Sequence, residues 1–246
     1  MTLDVSTMRT KIYADGADLE TLLRLSALPH IKGFTTNPTL MRKAGVTDYA
    51  GFAREVLTQI TDRPISFEVF SDEPEGMRRQ ALEIASWAPN VYVKLPVTNT
   101  RAEPMTELIR ELSGDGVQLN VTALMTVRQV EEVAGAVAGG APSNISVFAG
   151  RIADTGRDPI PLMRESLVAM AGAAQAELIW ASPREVLNIA QAEEIGCHII
   201  TVTHDLLGKL TLFGKDLDEY SLDTVKMFHD DAASAGFALE AAEVGG

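Results

Sequence analysis

The chain has 246 residues, 46% hydrophobic and 22% charged, which supplies a large buried core and argues against global disorder. Its formal net charge of -13 speaks against nucleic acid or an anionic membrane as partner, since both need basic surface. An anionic small substrate stays open, because a few arginines at one pocket can oppose the global field.

A single cysteine, Cys197, rules out an intrachain disulfide and a cysteine-based metal cluster. In the run Gly196-Cys197-His198-Ile199-Ile200 it reads as a buried, inert thiol. Residues 1–10 lack the apolar core of a signal peptide. No stretch reaches the ~20 apolar residues of a membrane span, and the longest candidate, 167–181, is broken by Gln175 and Glu177. A cytoplasmic location is therefore expected.

Short apolar runs rich in β-formers alternate with longer amphipathic segments. The first strand is read at Lys11–Asp15, followed by a helix with Leu19, Leu22 and Leu23 on its apolar face. A second strand spans 31–36, and Asp48 marks a helix N-terminus. The third strand, 65–70, leads into Ser71-Asp72-Glu73-Pro74-Glu75, a helix start with proline in its first turn. Leu82, Ile84 and Ala85 form that helix's apolar face, and strands follow at 91–95 and 117–121. Val127, Val130, Val133 and Ala134 mark the next helix; then come a strand at 144–148 and the face Leu162, Leu167, Met170. Strands at 178–181 and 199–202 enclose the face Val186, Ile189, Ala190.

Eight strand–helix units of roughly 30 residues, with no linker between them, predict an α/β fold. The expected form is one (β/α)8 TIM-barrel domain over 1–246. An open, doubly wound sheet is the alternative, which periodicity alone does not separate. A final helical segment, about 223–243, exceeds what a barrel needs and reads as an extra C-terminal helix docking on a neighbouring subunit. Residues 244–246 read as a frayed end.

In such barrels catalytic groups sit at the C-terminal ends of strands. Reading those ends gives Asp15, Asn37, Glu68, Lys94, Asn120 with Thr122, Ser146, Ser182 and Thr203, a polar ring that a purely structural barrel does not need. Of seven lysines, Lys94 alone lies at the C-terminal end of a strand; Lys11 and Lys32 lie at N-terminal ends, as snorkelling structural lysines do. Desolvation between Val93 and Leu95-Pro96 would favour the free amine and make Lys94 a nucleophile toward a carbonyl. The alternative is a lysine ion-paired inside the barrel. Asp15 and Glu68 offer carboxylates on the same face for proton transfer. Asp15 competes with a helix-capping role, for which Asp18 is better placed, and Glu68 with an ion pair to Lys94. Arg151 and Arg184, after strands six and seven, suit a phosphate, with Ser182 beside them; the alternative is a pair of surface arginines. His198 and His204 lack a third metal ligand, Gly139-Gly140 reads as a loop, and Trp87, Trp180 and the methionines read as packing.

The segments Tyr13-Ala14-Asp15-Gly16-Ala17, Phe34-Thr35-Thr36-Asn37-Pro38-Thr39-Leu40 and Val91-Tyr92-Val93-Lys94-Leu95-Pro96 resemble the transaldolase family. So do Leu119-Asn120-Val121-Thr122-Ala123, Ile145-Ser146-Val147-Phe148-Ala149-Gly150-Arg151-Ile152 and Ala181-Ser182-Pro183-Arg184. They occur in the family's order from about residue 11 to about 210, within the short-chain branch shared with the fructose-6-phosphate aldolases.

The resemblance implies a Schiff base between Lys94 and the C2 carbonyl of a ketose phosphate, with Asp15 as acid/base at the C4 hydroxyl. Glu68 and Thr122 would hold the water that shuttles protons. Asn37, Asn120 and Ser146 would bind the dihydroxyacetone unit, and Arg151, Ser182 and Arg184 the phosphate. It implies sugar-phosphate substrates of the pentose phosphate pathway, no metal and no cofactor, since the protonated imine is itself the electron sink. A homo-oligomer, pentamer or decamer, is also implied.

The aldolase branch typically has Gln where Glu68 stands and Tyr where Phe148 stands. The pair present here is similar to the transaldolases and implies transfer of the three-carbon unit. Rival readings are an aldolase releasing free dihydroxyacetone and a non-catalytic sugar-phosphate-binding barrel. Pro183 in place of a common Phe, and Val147 in place of a common Pro, depart from the family pattern beside the phosphate residues.

Overall fold

The computed structural model describes residues 4–237 and 239, and the chain divides into two compact units, Asp4–Leu210 and the segment from Thr211 onward. The first unit opens with β1 (Lys11–Asp15), α1 (Leu19–Ser26) and β2 (Ile31–Thr35). Two helices, α2 (Pro38–Lys43) and α3 (Tyr49–Gln59), precede β3 (Ile65–Glu68) and α4 (Pro74–Ala85). The middle of the barrel is β4 (Val91–Pro96), α5 (Thr106–Gly114), β5 (Leu119–Leu124), α6 (Val127–Val137) and β6 (Ser143–Val147). Next come α7 (Ala149–Asp154), α8 (Pro159–Ala169), β7 (Ala176–Trp180), α9 (Leu187–Ile195), β8 (Ile199–Thr203) and α10 (His204–Gly208).

All eight strands are parallel and close in chain order, β8 returning to β1 through pairs that run from Lys11↔Ile199 to Asp15↔Thr203. The closed barrel replaces the open-sheet alternative. Several of its helices begin where short polar side chains satisfy unpaired N–H groups. Asp18 accepts from the Thr21 N–H, Asp48 from Gly51, and Thr126 forms a capping box with Gln129. Because Asp18 caps α1, Asp15 is free of that duty. Lys11 bridges to Glu177 and Lys32 donates to the Pro29 carbonyl, both at the strands' N-terminal ends. Cys197 is buried, and burial pushes its thiol up to about 12.

Several strand ends move by a few residues from the sequence expectation. β3 stops at Glu68 rather than at residue 70, because β2 has left the ladder by then. β5 runs Leu119–Leu124, later than 117–121, and β7 starts at Ala176, where Ala176 and Glu177 pair with Ser143 and Asn144. β6 ends at Val147, and Phe148 becomes the residue preceding α7.

The barrel interior is floored by Tyr13, which packs with Ile179, Ala181 and Ile199, with Phe148 against them. Its ring lies over Gly33, where a Cβ would sit 2.6–2.7 Å from three ring atoms. Only glycine leaves room for that ring. The polar ring described below stands above this floor.

The second unit holds α11 (Leu217–Ser234), started by Asp216, whose carboxylate accepts from the Asp218 and Glu219 N–H groups. That cap starts the helix six residues before the expected 223, and left-handed Gly236 closes it, short of the expected 243. The expected end, including Val244-Gly245-Gly246, lies outside the described residues. Leu222, Val225 and Phe228 of α11 are exposed. Among the described residues no helix is long and apolar enough to cross a membrane.

Candidate active site

Strand register brings the polar residues together. Glu68 stands opposite Lys94 across β3 and β4, Lys94 opposite Asn120, Pro96 opposite Thr122, and Asp15 opposite Thr35. Lys94 is 8% exposed, with its Nζ 3.3 Å from Glu68 Oε2 and donating to the Thr36 carbonyl at 3.0 Å. The ion pair foreseen as the alternative role of Lys94 is thus present, between two groups at the C-terminal ends of their strands.

Asp15 is fixed by two donors: Thr35 Oγ1 at 2.8 Å and Asn37 Nδ2 at 3.3 Å. Thr35 in turn shares a short hydrogen bond with Thr201. Dense surrounding protein raises the Asp15 pKa by desolvation, more than the Lys94 charge and these two hydrogen bonds lower it. The result is a carboxyl group that retains a proton to higher pH than an ordinary aspartate. Asn37 has a second task, since its Oδ1 accepts from the Leu40 N–H and caps α2, whose first residue is Pro38.

Asn120 and Ser146 are fully buried and bonded to each other. Ser146 Oγ donates to Asn120 Oδ1 at 2.7 Å, and Asn120 Nδ2 donates to Ser66 Oγ at 2.9 Å. The Thr122 hydroxyl, also buried, has no hydrogen-bond partner among the described residues. An unpaired buried hydroxyl costs roughly 1–3 kcal/mol, so it marks a position suited to a polar ligand or an ordered water.

Of the expected phosphate residues, Ser182 and Arg184 lie against the start of α7, the helix that carries Arg151. Gly150, at the start of α7, is so close to the β7 end that a Cβ there would lie 1.6 Å from the Ser182 carbonyl oxygen and 3.3 Å from Arg184 Nε. Ser182 takes a left-handed conformation, with φ of 60°, at this contact. Arg151, one residue on, places its guanidinium 5.2 Å from the centre of the Phe148 ring. Arg184 donates Nε–H to Asp154 at 2.9 Å and pairs with the same carboxylate through Nη2. That pairing was not foreseen. It gives Arg184 an acceptor that an incoming phosphate would have to displace or share.

His198 and His204 do not converge: His198 Nδ1 accepts from the Leu178 N–H, and His204 Nε2 lies 3.1 Å from Arg24 Nη2. Among the described residues no group of three His, Cys, Asp or Glu side chains is placed to hold a metal ion. Sequence reasoning also passed over Tyr49, whose hydroxyl donates to the Glu68 carbonyl at 2.9 Å and accepts from the Glu68 N–H at 2.6 Å. Pro38, which lacks an N–H where β2 would continue, was the available signal.

The fold and site define a closed (β/α)8 barrel with a buried lysine paired to Glu68, and a second carboxyl, Asp15, at the strand C-termini. Residues 12–242 match the sequence profile of the Transaldolase/Fructose-6-phosphate aldolase family, and the chain belongs to that family. A probable transaldolase of Dehalococcoides mccartyi is 36% identical over 198 residues, covering 80% of this chain and 88% of that protein. A probable transaldolase of Streptococcus agalactiae is 35% identical over 222 residues, 85% of this chain and 98% of that protein. The fold is also similar to solved barrels of distant sequence. A 2,3-dimethylmalate lyase matches at a TM-score of 0.53 and 14% identity, covering 98% of this chain and 89% of its own. A mandelate oxidase matches at 0.53 and 13%, covering 82% and 70%. Family and relatives together indicate a transaldolase-type enzyme.

Proposed function

We propose that the chain transfers a dihydroxyacetone unit from a ketose phosphate, fructose 6-phosphate or sedoheptulose 7-phosphate, to an aldose phosphate through a Schiff base on Lys94. The observation that carries this reading is the buried Lys94 amine, 3.3 Å from Glu68 Oε2, at the same barrel end as the Asp15 carboxyl. A lysine so placed can exchange its proton with Glu68 and attack the C2 carbonyl. Loss of the carbinolamine hydroxyl as water then leaves a protonated imine. Asp15 takes the proton of the C4 hydroxyl, the C3–C4 bond breaks so that C4 leaves as the aldehyde of a shorter aldose phosphate, and the bond's electron pair passes into the imine as an enamine. An aldose phosphate accepts the enamine carbon, and hydrolysis frees Lys94.

Glu68 and Thr122 support this course as holders of the water that moves protons during imine formation and hydrolysis. In this reading Asn37, Asn120 and Ser146 bind the substrate hydroxyls, and Arg151, Ser182 and Arg184 the phosphate. Phe148 favours transfer over release of free dihydroxyacetone. Its ring has no proton to give the enamine, which therefore survives until an acceptor arrives. The exposed apolar residues of α11 suit a contact between subunits of a homo-oligomer.

Incubation with fructose 6-phosphate and erythrose 4-phosphate should yield sedoheptulose 7-phosphate, and Lys94→Ala should abolish it. Free dihydroxyacetone formed without acceptor would move the chain to the aldolase reading. Binding without turnover would leave a non-catalytic barrel.

A further inference from the structure

We infer that Tyr49 is a positioning residue that takes over the end of the β2–β3 ladder and so frees the Thr36 carbonyl to hold the Lys94 amine. This role rests on the Schiff-base reading above. β2 and β3 pair in parallel at Phe34↔Ile65 and Thr35↔Ser66, and the Thr36 N–H donates to the Ser66 carbonyl at 3.2 Å. In an evenly spaced parallel ladder the next rung falls two residues on. Its two bonds would run from the Glu68 N–H to the Thr36 carbonyl and from a residue-38 N–H to the Glu68 carbonyl. Neither forms. Residue 38 is proline and has no N–H, and the Thr36 carbonyl accepts from Lys94 Nζ at 3.0 Å instead.

Both orphaned groups of Glu68 go to one atom. Tyr49, the first residue of α3, donates its hydroxyl to the Glu68 carbonyl and accepts from the Glu68 N–H. The other edge of β3 stays in its ladder, with the Val69 N–H donating to the Lys94 carbonyl at 3.1 Å. Glu68 is therefore held on both sides, by β4 and by a phenol that imitates a strand. Its carboxylate and the Thr36 carbonyl then converge on the same amine.

The phenol is itself fixed by aromatic packing. Its ring centre lies 4.5 Å from that of Phe70, 6.0 Å from Trp87 and 6.2 Å from Phe67. Tyr49→Phe keeps this packing and removes only the hydroxyl. The Glu68 N–H is then left to seek the Thr36 carbonyl, in competition with Lys94.

The test is the rate of borohydride trapping with fructose 6-phosphate in wild type, Tyr49→Phe and Trp87→Phe. Trp87→Phe disturbs the same aromatic cluster without touching the ladder end. Tyr49→Phe should slow trapping at saturating sugar about tenfold, while the half-saturating sugar concentration changes by less than about twofold. Trp87→Phe should trap at the wild-type rate. Wild-type trapping with an unimpaired Tyr49→Phe would overturn the role of Tyr49 alone. Equal slowing in both variants would overturn it too, reducing Tyr49 to packing. A wild-type chain that is never trapped would overturn the Schiff-base reading itself, and this role with it.

Discussion

Gly150→Ala is a severe test of the proposed phosphate end of the site, because the contact it disturbs is between two backbones. An added Cβ would lie 1.6 Å from the Ser182 carbonyl oxygen and 2.7 Å from the Ser182 carbonyl carbon. Ordinary carbon–oxygen contact needs about 3.3 Å, so α7 and the β7 end would have to separate by about 1.7 Å. No flexible side-chain tip can absorb that movement. Overpacking of this kind costs about 3 kcal/mol, which in a chain of this size lowers Tm by about 6–12 °C.

The same separation pulls Arg151 away from Ser182 and Arg184. A misplacement of about 1 Å can cost about 100-fold in rate, so kcat/KM for a sugar phosphate should fall by about that factor. Thermal unfolding and steady-state transfer kinetics check both arms. A Gly150→Ala protein with wild-type Tm and wild-type kcat/KM would refute the reasoning, and with it the placement of α7 against Ser182.

Two other substitutions separate stability from activity. Asp15→Asn should lower transfer by about 10²–10⁴-fold. The folded Asp15 pKa lies above its unfolded value, so the folded state binds the extra proton and wild-type stability falls as pH rises through the folded pKa. Tm of Asp15→Asn relative to wild type should therefore rise as pH increases from the unfolded pKa, about 3.9, to neutrality. A difference that stays flat or runs the other way would contradict the raised pKa. Thr122→Val removes a buried hydroxyl with no partner among the described residues, and should raise Tm by about 2–4 °C while slowing trapping with fructose 6-phosphate. A clear loss of stability would show that the hydroxyl is hydrogen-bonded after all.

The barrel and its polar ring were legible because both rest on local pattern. A short apolar run ending in a polar side chain identifies a buried parallel strand and its C-terminal end, as in Val91-Tyr92-Val93 before Lys94 and Ile12-Tyr13-Ala14 before Asp15. Asp18 could be assigned to the α1 cap from sequence, since capping is decided within one turn. What escaped depends on residues far apart in the chain. The Arg184 fork on Asp154 spans 30 positions, and the Tyr49 contact with Glu68 spans 19. Gly33 and Gly150 looked like any other glycine until Tyr13 and Ser182 arrived beside them. Strand ends shifted for a related reason: β3 stops where its neighbour β2 departs, and no property of residues 69 and 70 announces that.

The most direct test of the central claim is to locate the adduct. Wild-type protein reduced with borohydride in the presence of fructose 6-phosphate should gain one covalent three- or six-carbon unit. Peptide mass mapping should place it on Lys94, with the other six lysines unmodified. A label on another lysine, or none under conditions that support transfer, would contradict the account.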